Sequence, residues 1–155
     1  MIGVPMWLAE DESVARIAWQ SFSYYPQLSR VRQYVQDHIG ERITLRDAAG
    51  IACLEPKYFS SFFRSKAKIT FSEWLRLVRV MRSAELFRFR DISVSQAARE
   101  VGFRSLRTFE RAFRRVIGMS PVQFKWCVRP ENRAITKFDS PLTMNVANST
   151  TPHVA

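Results

Sequence analysis

The side chains best equipped for chemistry in this 155-residue chain are its arginines, and they suit the binding of anions rather than the breaking of bonds. Cys53 and Cys127 are its two cysteines, and His38 and His153 its two histidines. They stand at no zinc-ligand spacing and encode no disulfide framework. No glycine-rich loop cradles a phosphate, and no nucleophile stands beside a histidine. The carboxylates are scattered rather than paired for acid–base work, so neither an enzyme nor a metal or other cofactor is expected. Against this, 24 Lys and Arg oppose 14 Asp and Glu, giving a net charge of +10. An excess of that size points to an anionic partner, either nucleic acid or a membrane surface. No apolar run approaches the roughly 18 residues of a membrane span. The start, Met1 to Leu8, lacks a basic n-region and runs into Glu10, Asp11 and Glu12, which does not read as a signal peptide. A reduced, cytoplasmic protein with no membrane partner is expected.

The elements that position these arginines are helices. Residues 1–27 carry a net charge of −2, residues 28–127 carry +11 and residues 128–155 carry +1, so the excess lies wholly in the middle. There, apolar residues recur three and four apart with almost no strand signal. The spacing predicts seven helices at 28–39, 44–52, 56–66, 70–88, 93–101, 105–116 and 120–126. Thr44-x-x-Asp47 and Ser93-x-x-Gln96 read as capping arrangements, and Pro56 and Pro121 suit first-turn positions. Before them, Trp7, Leu8, Ala15, Ile17, Ala18 and Trp19 suit a short helix, followed by a loop from Ser21 to Pro26. Tyr24, Tyr25, Trp7 and Trp19 are expected to pack this segment against the domain. From Val128 onward, prolines and small polar residues without helical period read as a mobile tail.

The middle is a repeat. Ile43-Thr44-Leu45-Arg46-Asp47-Ala48-Ala49 matches Ile92-Ser93-Val94-Ser95-Gln96-Ala97-Ala98 at an offset of 49. One residue is then inserted, and Phe59, Phe63 and Trp74 match Phe109, Phe113 and Phe124 at an offset of 50. Each copy is a short helix, a tight turn and a second helix with Phe residues four apart, the layout of a helix-turn-helix whose second helix can enter a major groove. The expected architecture is all-α, with two such heads (28–69 and 89–127) joined by a linker helix at 70–88. The linker's apolar side holds Phe71, Trp74, Leu75, Val78 and Leu86. At 1.5 Å per residue it is roughly 28 Å long, against about 34 Å for one turn of DNA.

The run Gly102-Phe103-Arg104-Ser105-Leu106-Arg107-Thr108-Phe109-Glu110-Arg111-Ala112-Phe113-Arg114-Arg115, followed by Gly118-Met119-Ser120-Pro121, closely resembles the signature of AraC/XylS transcription regulators. The resemblance extends back through Leu86 and Arg79 to about Leu28. The first copy departs from it, with Cys53 for the usual turn glycine, Glu55 for the N-cap serine and Lys68 for the glycine after the second helix. Cys53 is expected to be small and buried, and Glu55 to favour the helix N-terminus through the macrodipole.

What the resemblance implies is a bacterial regulator of transcription, more often an activator that recruits RNA polymerase. It implies binding to double-stranded DNA, with no room in this chain for a separate small-molecule domain. Lys57, Ser60 and Ser61 in the first head, and Leu106, Arg107, Glu110 and Arg111 in the second, match base-facing positions. Arg64 matches a phosphate-facing one. Arg46, Lys66, Arg104, Arg114 and Arg115 are further phosphate candidates, giving affinity without sequence. The chemistry fits: Arg pairs bidentately with guanine, Glu accepts from cytosine N4, and Leu meets a thymine methyl. Glu110 has an alternative, pairing with Arg107 or Arg114 at helical spacing. Linker arginines Arg76, Arg82, Arg88 and Arg90 read as a solvated face, while Arg79 is expected to orient the linker against a carboxylate or carbonyl. The competing function is a non-specific architectural or protein-interaction module whose first head has lost its reading residues.

Overall fold

A computed structural model describes residues 17–129. The expected helix around Trp7 lies outside them as far as Arg16, and its last residues, Ile17, Ala18 and Trp19, form a bend and turn rather than helix; the tail beyond Arg129 also lies outside. Among the described residues there are eight helices and no strand. In chain order they are α1 (Ser21–Tyr24), α2 (Pro26–Asp37), α3 (Leu45–Ala52), α4 (Pro56–Ala67), α5 (Phe71–Phe89), α6 (Val94–Glu100), α7 (Leu106–Ile117) and α8 (Pro121–Val128). Seven coincide with the predicted helices to within about two residues. The eighth is a correction, since Ser21 to Pro26 is not a loop. Four residues carry too little periodicity to be recognised, and α1 is held by tertiary contacts instead. Phe22 is fully buried and stacks on Trp74 with ring centroids 5.0 Å apart. Ser21 Oγ donates to the Lys66 carbonyl at 2.8 Å, and the Ala18 N–H donates to the Ala67 carbonyl at 3.2 Å. Tyr24, expected to pack inward, is instead 77% exposed.

The repeat in sequence is a repeat in space. After α3 the Leu54 N–H donates to the Ala49 carbonyl at 2.9 Å, and after α6 the Phe103 N–H donates to the Ala98 carbonyl at the same distance. Cys53 (φ 56°) and Gly102 (φ 83°) occupy the matching left-handed position in those turns. Lys68 (φ 64°) and Gly118 (φ 82°) do so again after α4 and α7. In both heads the buried faces are built alike: Phe63 meets Trp74 at 5.5 Å, and Phe113 meets Phe124 at 5.5 Å. Capping boxes open α3, α5, α6 and α8, the acceptor partners being Asp47, Glu73, Gln96 and Gln123. The boxes at Thr70 and Ser120 follow the Ser/Thr-x-x-Glu/Gln pattern of Ser93, while Thr44 closes its box with Asp47.

Helix α5 is buried on more sides than its predicted stripe. Leu77, Val80, Met81, Ala84 and Phe87 join Phe71, Trp74, Leu75 and Leu86 inside, while Val78 is half-buried. The reason is its position. It packs on α4 near its start and on α6, α7 and α8 further along, so no single face serves both heads. Phe59 meets Phe71 at 5.8 Å in the first head, and Phe87 meets Phe113 at 6.0 Å in the second. No helix among the described residues is long and apolar enough to cross a membrane.

Candidate nucleic-acid interface

Helix α7 begins at Ser105, whose hydroxyl accepts from the Thr108 N–H at 3.4 Å, and ends at Gly118. Its buried residues are Phe109, Ala112, Phe113 and Val116. With 3.6 residues per turn, that leaves Leu106, Arg107, Glu110, Arg111 and Arg114 on the far side, all exposed. Leu106 is 41% exposed, an apolar side chain left outside at the head of a row of arginines. Glu110 pairs with neither Arg107 nor Arg114, so its alternative role as an intrahelical partner is not adopted among the described residues. Arg104 lies in the turn before the helix and Arg115 on its flank, both exposed.

Helix α4 presents the equivalent face with less charge. Phe59, Phe63 and Ala67 are buried, and Phe62 is half-buried against Tyr25 at 5.7 Å. Lys57, Ser60, Ser61 and Arg64 are exposed on the opposite side. The Ser61 hydroxyl donates to the Lys57 carbonyl at 3.4 Å. Arg46 is exposed near the start of α3. Lys66 does not join this set. It falls half a turn away from Lys57 and Arg64, half-buried, with its ammonium 4.9 Å from the centre of the Tyr25 ring. That contact became possible because α1 lies against α4 and brings Tyr25 onto it, which the reading of Ser21–Pro26 as a loop concealed.

Two departures of the first head from the family pattern resolve differently from expectation. Cys53 is exposed, not buried: its left-handed backbone carries the thiol outward. Glu55 does more than face the helix dipole. Its carboxylate accepts from the Lys57 N–H at 2.8 Å and the Tyr58 N–H at 3.1 Å, which makes it the N-cap of α4.

Other arginines are structural. Arg79 on α5 donates through Nε to the Ile39 carbonyl at 3.2 Å and through Nη2 to the Glu41 carbonyl at 2.6 Å, matching the expected orienting role. Burial lowers its pKa from the usual arginine value. Arg82 pairs with Glu85 at 2.9 Å and Arg90 with Glu100, both on the exposed face expected for the linker's arginines, and Arg129 pairs with Asp91 at 2.9 Å. Lys125 also reaches Asp91 at 2.9 Å, and its hydrogen bond and charge, with that of Arg129, hold the Asp91 carboxyl below the usual range. Arg79 thus ties the linker to the first head, while no ion pair of Arg107, Arg111 or Arg114 is found among the described residues.

Comparison with known proteins identifies that geometry. The family described as a helix-turn-helix domain matches residues 48–125, half of the chain. The arabinose operon regulatory protein of Salmonella typhimurium is 29% identical over 123 residues, which is 76% of this chain and 44% of that protein. The probable transcriptional regulator LumQ of Photobacterium leiognathi is 29% identical over 99 residues, 64% of this chain and 40% of that one. This chain therefore spans less than half the length of these relatives. Among solved structures, the DNA-binding domain of AdpA, a global transcriptional factor in complex with a target DNA, is similar at a TM-score of 0.62 and 27% identity, covering 73% of this chain and 98% of that one. The C-terminal domain of AraT from Geobacillus stearothermophilus is similar at a TM-score of 0.61 and 27% identity, covering 78% and 93%. With its matched residues, its two heads of matching layout and these relatives, the chain belongs to the AraC/XylS family of helix-turn-helix transcription regulators.

Proposed function

We propose that this chain binds double-stranded DNA sequence-specifically, its helices α4 and α7 reading two consecutive major-groove segments on one face of the duplex. The observation that carries the reading is the pair of equivalent second helices, each with its phenylalanines buried and its polar side exposed, flanking a 19-residue helix. In this reading Arg107 and Arg111 pair with guanines, Glu110 accepts from cytosine and Leu106 meets a thymine methyl. Lys57, Ser60 and Ser61 take the second segment, with Arg46, Arg64, Arg104, Arg114 and Arg115 on phosphates. The similar structure solved with its target DNA supports it. Activation of transcription through RNA polymerase, in the bacterial cytoplasm, extends the reading from family resemblance.

Selection of bound duplexes from a random-sequence library by the purified chain, at about physiological salt, tests it. Two enriched blocks about 10 base pairs apart are expected. One specific feature favours the architectural alternative: the N-cap carboxylate of Glu55 stands at the start of α4, where phosphates would approach. Binding without any enrichment, at a steep salt dependence, would establish that alternative and sink the specific reading.

A further inference from the structure

We propose that the cavity between α2 and α5 is a binding site for a small apolar carboxylate of the arylalkyl acid class, anchored by Arg32. The site goes beyond the reading of the chain as a DNA binder, which makes no use of it. The cavity measures about 270 Å³, at the small end of the range for small-molecule sites. Its apolar walls are Trp74, Val78 and Met81 of α5, Ile39 just after α2, and Trp19 in the turn before α1. Trp74, Val78, Met81 and Glu85 recur three and four apart, so they form one stripe of α5. Glu73, Arg76 and Leu77, which line the cleft bordered by α4 and α7, lie about a third of a turn around the helix. The cavity therefore opens on a different side of α5, at the joint between the first head and the linker.

The polar groups at the cavity select the ligand's charge. Arg32 of α2 and Arg82 and Glu85 of α5 are its charged lining. Arg82 and Glu85 neutralise one another at 2.9 Å. Arg32 is half-buried and makes no hydrogen bond or ion pair among the described residues. One uncompensated positive charge beside apolar walls suits a monoanion with an apolar body. A guanidinium and a carboxylate pair through two parallel hydrogen bonds. Gln36, one turn along α2 from Arg32, adds an amide donor at the same wall. A second observation points to a ligand with an oxygen acceptor. Trp74 is fully buried, and its indole N–H is the one buried side-chain polar group among the described residues with no hydrogen-bond partner. Buried donors are normally paired. An orphan donor on a wall residue carries a desolvation cost, and an oxygen-bearing occupant is the partner that relieves it. Trp19, Trp74 and the Met81 thioether favour an aromatic body on that acid.

The test uses the full chain, with phenylacetate, 4-phenylbutyrate and 1-naphthylacetate as probes and 4-phenylbutanamide as the uncharged control. Saturable calorimetric binding of at least one acid is expected, with a rise in Tm at saturation. The bound acid should move the Trp74 indole N–H resonance more than that of Trp126 on α8. It should bind about tenfold or more tightly than the amide, because its hydrogen bonds to Arg32 are charge-assisted. Arg32→Gln should erase that preference and leave the Tm of the ligand-free chain unchanged, since Arg32 has no internal bond to lose. Val78→Phe, which fills the cavity, should abolish binding. An excess of duplex DNA should leave the acid bound, because the cavity and the exposed faces of α4 and α7 lie apart. No saturable binding of any of the three acids, an Arg32→Gln variant that keeps the preference for acid over amide, or displacement of the acid by duplex would overturn the proposal. Binding that appears only after Glu10, Asp11 and Glu12 are replaced by Gln would assign the cavity to the chain's own carboxylates and would overturn it too. None of these outcomes depends on which duplexes the random library enriches, so the sequence-specific reading stands or falls separately.

Discussion

Arg107, Arg111 and Arg114 are chemically identical and share one exposed helix face, yet the proposed docking gives them different work. Arg107→Ala and Arg111→Ala should each relax preference at particular base pairs, by about 1–3 kcal/mol of discrimination. Arg114→Ala should weaken binding to all sequences alike and reduce the salt slope by about 1. Repeating the library selection and a salt titration on the three variants checks this. Three variants with one shared phenotype would mean that α7 does not enter the groove as proposed. At this scale the sequence was informative wherever periodicity decided the matter, because buried Phe109 and Phe113 leave only one side for Arg107 and Arg111. It was uninformative where a neighbour decided. The reach of Lys66 to Tyr25 and the outward thiol of Cys53 depend on packing and a backbone angle that no local pattern encodes.

The two turn glycines of the second head test how elements are joined. Both have positive φ, but a Cβ on Gly118 would meet nothing within 4 Å, whereas one on Gly102 would sit 2.7 Å from the Ile39 carbonyl oxygen and 2.8 Å from Arg79 Nη2. Gly118→Ala should therefore cost about 1 kcal/mol, for backbone strain alone. Gly102→Ala should cost clearly more, and Gly102→Val should unfold or misorient the head. Urea denaturation of the variants measures this, and equal costs at the two alanines would refute it. The caps make a second distinction. The first head and linker are capped by Asp47 and Glu73, whose hydrogen bonds from Thr44 and Thr70 hold both carboxyls below the usual range. The second head uses Gln96 and Gln123, which do not titrate. A carboxyl whose pKa is depressed by folding stabilises fully above its unfolded pKa, and that contribution is lost as pH falls through the folded value. Amide exchange at Asp47 and Glu73 should therefore accelerate below about pH 4 relative to Gln96 and Gln123, beyond the general effect of pH on exchange. Asp91, on the second head, titrates in the same window, but it ties Lys125 and Arg129 rather than a cap, so the capping amides remain the discriminating probes. Equal acceleration at all four would mean that the caps are not what acid removes.

The whole molecule depends on one junction that the sequence indicated without placing. The offset of the repeat and the length of the linker were legible because both are counts along the chain. The angle between the heads was not, because backbone carbonyls far away in sequence set it. Arg79 binds the Ile39 and Glu41 carbonyls of the first head, while Gly102 of the second head lies against that same guanidinium and the Ile39 carbonyl. A Cβ on Gly40 would come within 2.7 Å of the Glu100 carbonyl oxygen, so the backbones themselves are in close contact there. Three elements meet at a single side chain. Arg79→Met keeps the bulk of the stem but strips those donors, at a cost of about 1 kcal/mol, because water can reach the exposed Glu41 carbonyl. Each head retains its own phenylalanine core, so both should stay folded while the angle between them loosens. One base pair inserted between the two enriched blocks turns the second block by roughly a tenth of a helical turn. The wild-type chain, held rigid, should lose affinity sharply for that duplex, and Arg79→Met should bind the original duplex less tightly yet lose much less on insertion. If the variant discriminates between the two spacings as well as the wild type does, the junction is not what fixes the distance between the heads, and the packing along α5 must do so unaided.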